Sequence, residues 1–222
     1  MKKIEAVLEF DPVRHAYTLN GLPVPSVTRV ISPLNEFSTF IREGTLAKAA
    51  ERGTAVHFAT ELHDQAFLDD LGGAEPAPTP ETIWRPEEDA APAVRPYLGS
   101  WRRFLSDTSF EVHEIETRTF SSRHRYAGTI DRLGVLNGQR CVVDIKTTSA
   151  IGPQVGIQLA AYQAATNEHR PTAERYRKRY ACQLRPDGSY RLEEFRDPAD
   201  WSVFLALLQI HNWRLRYRKG RE

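Results

Sequence analysis

The chain is poor in cysteine. Its 222 residues hold two, Cys141 and Cys182, far apart and in no C-x-x-C pair. That spacing argues against a structural zinc site and a cysteine-ligated iron–sulfur cluster, and it offers no disulfide framework, which fits a reducing cytoplasm. Long apolar runs are also missing, and the first five residues, Met1-Lys2-Lys3-Ile4-Glu5, carry charge. Neither a signal peptide nor a membrane span is expected. Net charge is only +1, so global charge makes no case for a polyanionic partner. No H-E-x-x-H occurs, which disfavours a zinc protease. No internal repeat is visible, and nothing marks a subunit interface.

What is present suffices for a real core: 41% of the residues are hydrophobic. The length suits one domain, residues 1–222. Residues 4–24 read as short strands, with turn signals at Phe10-Asp11-Pro12 and Asn20-Gly21. Ser26 is placed to cap a short helical turn. Residues 45–70 have helical composition and spacing, and a second helix carries Val94, Tyr97, Trp101, Phe104 and Leu105 on one face. The spacing of Trp101 favours a core role over base stacking. Between these helices, residues 72–92 contain Gly72-Gly73 and prolines 76, 78, 80, 86 and 92, which exclude a regular element. Strands are expected over 110–120, 126–135 and 140–146, with Asn137-Gly138 as the hairpin turn. A helix over about 154–168, a hairpin over 175–195 and an amphipathic helix over 198–218 follow. The fold class is α/β of mixed α+β type, a central mixed sheet flanked by helices, with a helical N-terminal half.

The chemistry gathers at two strand ends. Asp144 and Lys146 are two apart and share a strand face, with Ile145 pointing into the core. A D-x-K triplet arises by chance in a chain this long at about even odds. Its place at the end of Arg140-Cys141-Val142-Val143 gives it weight, because a carboxylate and an ammonium there need partners. A simple Asp–Lys surface pair is the plainer reading. Asp131 closes the preceding strand after Gly128, where the lack of a side chain permits close approach of a backbone or a phosphate. Two neighbouring carboxylates repel, and a divalent cation such as Mg²⁺ or Mn²⁺ between them removes that cost. His57, on the helix, is a third candidate ligand; the plainer reading pairs it with Glu61 at i,i+4. Gln158 and Tyr162 share a helix face and could orient a phosphate or a water.

Local charge supports a nucleic-acid partner more than global charge does. Arg175-Tyr176-Arg177-Lys178-Arg179-Tyr180 and Trp213-Arg214-Leu215-Arg216-Tyr217-Arg218-Lys219 interleave cations with aromatics, a pattern suited to phosphate contact and stacking. A solvated strand face and a helix C-terminus complemented by cations explain them equally well.

Taken in order, Gly53-Thr54-Ala55-Val56-His57, Gly128-Thr129-Ile130-Asp131, Asp144-Ile145-Lys146 and Gln158-x-x-x-Tyr162 resemble the motifs of RecB-family nucleases of the PD-(D/E)XK superfamily. Tyr17-Thr18-Leu19-Asn20-Gly21 and Pro25-Ser26-Val27-Thr28 are similar to the start of small phage-encoded and mitochondrial-type members. The resemblance spans roughly residues 10 to 195 and implies one nuclease domain with a restriction-endonuclease-like core. It departs from the pattern in three ways: no proline precedes Asp131, the central acid is Asp144 rather than Glu, and the iron–sulfur cysteines are missing.

The resemblance implies roles. Asp131 and Asp144 would bind Mg²⁺ or Mn²⁺ with the Ile145 carbonyl, joined by His57 and by Glu116, at a position often acidic in the family. Lys146 would position and help deprotonate the attacking water. Gln158 and Tyr162 would hold DNA near that centre, with Arg175, Arg177 and Lys178 as further DNA contacts. The expected activity is a metal-dependent exonuclease on single-stranded DNA or DNA ends, in replication, recombination or repair, with residues 45–107 as a helical wall or arch. An endonuclease for branched or duplex DNA, and a catalytically idle DNA-binding recombination accessory, are the rival expectations.

Overall fold

A computed structural model describes residues 6–34, 43–71 and 91–219. Strands β1 (Leu8–Asp11), β2 (Ala16–Leu19) and β3 (Leu22–Val24) form a small antiparallel sheet, followed by α1 (Val27–Ile31). The long helix α2 (Glu43–Leu71) and α3 (Arg95–Thr108) come next. Then β4 (Glu111–Ser121), β5 (Tyr126–Leu136) and β6 (Gln139–Lys146) make an antiparallel meander. Helix α4 (Gln154–Glu168) crosses over to β7 (Lys178–Leu184), which runs parallel to β6, and β8 (Tyr190–Glu194) pairs antiparallel with β7. Helix α5 (Ala199–Lys219) closes the chain. The five-stranded order β4-β5-β6-β7-β8 is the expected mixed sheet. Most of the proline-rich stretch 72–92 lies outside the described residues.

Local chemistry explains the turns. Asn137 and Gly138 have φ of 50° and 72°, the left-handed pair that a tight hairpin demands and that Asn-Gly tolerates. Ser26 caps α1 by accepting from the Arg29 amide. The small sheet attaches to the large one through a bridge between Ser26 and Ala127 and a 2.8 Å hydrogen bond between the Tyr17 and Thr129 hydroxyls.

The sheet is buried on both faces. One face packs Val142, Leu133 and Tyr126 against α1, α4 and α5 through Val30, Leu159 and Phe204. The other packs Cys141, Val143 and Ile145 against α2 and α3 through Val56, Trp101 and Phe104. Burial on both sides is why β6 reads as a near-continuous apolar run. Both cysteines are buried in this second core, and burial pushes the Cys141 thiol up to about 12.

One charge is built into the second core. Arg132 has a side chain with no exposed surface, and its Nε donates to Asp64 Oδ2 at 2.6 Å. Its Nη2 donates to Thr60 Oγ1 at 3.1 Å and its Nη1 to the Asp131 carbonyl at 2.6 Å. Trp101 Nε1 donates to Asp64 Oδ1 at 2.9 Å, and the guanidinium lies 5.5 Å from the Trp101 ring. Trp101 is thus a core residue, as its spacing implies, with its polar edge satisfied. Truncating one partner of a buried pair strands the other charge. Asp64→Ala is therefore expected to lose about 3–5 kcal/mol in urea denaturation. A loss below about 1 kcal/mol would show that the pair is dispensable to the fold.

Candidate active site

The β5–β6 ladder ends at Arg132 and Val143. Carried one step further, the register sets Asp131 opposite Asp144. There the side chain replaces the ladder: the Ile145 amide donates to Asp131 Oδ2 at 2.6 Å. An otherwise unpaired backbone donor thereby fixes the carboxylate. On β6, Asp144 and Lys146 share a face, and Lys146 Nζ lies 2.8 Å from Asp144 Oδ2. That ion pair is the one contact of this buried oxygen among the described residues.

Helix α2 brings His57 to the same place. Its Nε2 is 3.1 Å from the Ile145 carbonyl, which can only accept, so Nε2 carries the proton. Nδ1 then faces Asp131 Oδ1 at 3.5 Å and Glu116 Oε1 at 3.9 Å. Glu116 has φ of 45°, a left-handed backbone within a strand; such outliers concentrate at functional sites. Arg132 Nη1, 3.4 Å from Glu116 Oε1, ties this carboxylate to the buried network. From α4, Gln158 Oε1 accepts from Lys146 Nζ at 3.3 Å, and Gln158 Nε2 donates to Tyr162 Oη at 3.2 Å.

His57, Glu116, Asp131, Asp144, Lys146, Gln158 and Tyr162 thus line one cavity of about 210 Å³, with Tyr17, Thr28 and Thr129 at its side. Arg175, Arg177 and Lys178 are not brought there. Lys178 pairs with Cys141 at the opposite end of β6 from Lys146 and is engaged by Glu194 at 2.7 Å. Arg175 and Arg177 are exposed away from the cavity, while Tyr176 and Arg179 of the same run are buried. Nor does His57 act as a surface partner of Glu61, since both its ring nitrogens face the site. Gly128 lines the cavity and lets the Tyr162 ring approach closely: a Cβ there would meet that ring at 2.5 Å.

Electrostatics follow from crowding. Burial pushes the Asp144 carboxyl up, Lys146 opposes that rise, and Asp131 adds to it. Burial disfavours the Lys146 ammonium, yet Asp144 and Asp131 outweigh burial and hold its pKa above the usual value. Burial also works against the His57 imidazolium, but Asp131 and then Glu116 push it up to about 9. The donor set fits a hard divalent cation. One ligand atom each from His57, Glu116 and Asp131 lies within 4.8 Å of the others, and the under-satisfied Asp144 oxygen sits in the same cavity.

The network residues Asp64 and Arg132 escaped the sequence reading. A partial signal was there: His57, Thr60 and Asp64 recur at helical spacing and so share one face of the helix.

Two outcomes follow. Gly128→Ala displaces the Tyr162 ring and costs about 1–3 kcal/mol of stability, measured by denaturation. In protein stripped of divalent metal, the folded His57 pKa lies above its unfolded value of 6.5. Its charge therefore stabilises fully below about 6.5, and that contribution is lost as pH rises through about 9. The stability gap between the wild type and His57→Gln should narrow across that window in thermal melts with chelator. A constant gap would contradict the raised pKa.

The chain is similar to the crystal structure of SSO0001 at 16% identity, covering 81% of this chain and 82% of that one, with a TM-score of 0.35. It is also similar to an alkaline exonuclease (LHK-Exo) from Laribacter hongkongensis at 13% identity, covering 75% and 92%, with a TM-score of 0.37. No curated protein matches it. Residues 34–209 match the model of the PD-(D/E)XK nuclease superfamily, well over half the chain, and the protein belongs to that superfamily.

Proposed function

We propose that this protein is a divalent-metal-dependent deoxyribonuclease of RecB-like type, an exonuclease acting on single-stranded DNA or DNA ends. The observation that carries the reading is the convergence of Asp131, Asp144, Lys146, Gln158, Tyr162 and His57 on one cavity. The choice of an exonuclease rests on the ordered motifs that resemble that branch. Residues 1–222 are taken as one nuclease domain, in which α2 and α3 would form a wall beside the cavity.

Asp131 and Asp144 would hold Mg²⁺ or Mn²⁺, with Glu116, His57 Nδ1 and the Ile145 carbonyl as further donors. Such an ion, when bound, polarises a phosphoryl oxygen and lowers the pKa of a coordinated water. The Asp131 carboxylate is oriented for this by the Ile145 amide. Lys146, paired with Asp144, is an ammonium with no lone pair to accept a proton. It therefore orients the attacking water and offsets charge developing on the phosphate, a role better suited to it than that of a base. In hydrolysis the water oxygen bonds to phosphorus and gives up one proton to solvent, the bond to one sugar oxygen breaks, and that oxygen takes a proton back from solvent. Gln158, locked between Lys146 and Tyr162, positions the lysine and the scissile phosphate.

The test is degradation of end-labelled linear and circular single-stranded DNA with Mg²⁺, with Mn²⁺ and with chelator. Linear strands should be shortened from an end, circles should survive, and chelator should abolish cleavage. Asp144→Ala and Lys146→Ala should each reduce the rate by about 100-fold or more. Absence of cleavage, or wild-type rates in both variants, would overturn the enzymatic reading; nicked circles would favour an endonuclease.

A further inference from the structure

The cavity leaves one strongly marked surface unused, the outer half of α5. From Trp201 to Lys219 the helix contains no Asp or Glu. Its inner side, Phe204 and Leu208, packs with Val27, Val30 and Ile31 of α1. Beyond His211 every described side chain through Tyr217 is exposed. Trp213 and Tyr217, one turn apart, are 52% and 64% exposed, with ring centroids 4.8 Å apart. Large exposed aromatics are costly in water unless something covers them.

Among the described residues no carboxylate pairs with Arg29, Arg214 or Arg216. Burial holds His211 below its ordinary pKa, and the positive charges of Arg29 and Arg214 add to that. Arg29 follows Thr28, and Thr28 lines the catalytic cavity. Helix α1, which borders the cavity through Thr28, packs against α5, so the cationic, aromatic end of α5 continues from an element that flanks the cavity.

We propose that Arg29, His211, Arg214, Arg216, Trp213 and Tyr217 form a track that holds the single-stranded nucleic acid leading to the cavity. The cations contact successive phosphates, and the Trp213–Tyr217 pair stacks a base. Charge complementarity selects this occupant. A second copy docking by two-fold symmetry would set these same unpaired cations against each other. The proposal rests on the nuclease reading and adds to it a site for substrate remote from the scissile bond.

The experiment measures fluorescence anisotropy of fluorescein-labelled oligothymidylates of about 4 and about 16 nucleotides, in chelator, across a salt series. The variants are Trp213→Ala and the double variant Arg214→Ala/Arg216→Ala, whose exposed positions leave the core intact. Each should lower the ratio of long-oligomer to short-oligomer affinity about tenfold. The double variant should also reduce the magnitude of the salt slope by about 1.4. Wild-type ratios and slope in both variants, while the wild type binds and cleaves DNA, would overturn the track. So would a wild-type dimer that both variants convert to monomer, since a second copy would then cover the surface. A wild type that neither binds nor cleaves nucleic acid would overturn the nuclease reading, and the track with it.

Discussion

A guanidinium buried in an apolar core needs several acceptors at once, and the way Arg132 finds them organises the molecule. Asp64 on α2 neutralises it, Trp101 on α3 completes Asp64, and the Asp131 carbonyl and Glu116 carboxylate take its remaining donors. Helices that could otherwise slide over a greasy sheet face are pinned at one point. The pinned point lies directly beneath the carboxylates of the cavity. A buried charge pair contributes little net stability against an apolar replacement, yet breaking it is costly. Such a pair enforces one arrangement of α2 against β5, and that arrangement carries His57 to Asp131.

The cavity above it is a balance of opposed charges. The acids Glu116, Asp131 and Asp144 face His57 and Lys146, which can both be cationic. Each cation is held charged by the acids despite burial. A divalent cation held there would compete with the proton on His57 for the same negative potential, so its binding would tighten as pH rises. Lys146 is braced from two sides, by Gln158 on α4 and by Asp144 on its own strand.

Much of the frame was legible in the chain. Asn137-Gly138 announces the hairpin because only residues tolerant of positive φ close a two-residue turn. The alternation around Ile145 announces that Asp144 and Lys146 share a face. The basic run at 175–180 was less legible. Composition cannot separate Arg179, buried and bound to Asp200, from Arg177, exposed to solvent, because both belong to the same charged string. Arg132 was hidden for the opposite reason: an arginine after an acid reads as surface, and only a partner 68 residues away makes its burial tolerable.

By itself the sequence determined the local geometry: which residues share a strand face, where the turns fall, and which motif types occur in which order. Those properties depend on backbone periodicity and steric limits within a few residues. Tertiary structure alone decided what those residues meet. The 2.6 Å bond from the Ile145 amide to Asp131, the seat of Tyr162 over Gly128, and the emergence of the α5 end beside α1 each join distant parts of the chain. Contacts of that kind are set by how two cores pack on one sheet, and no short stretch of sequence encodes them.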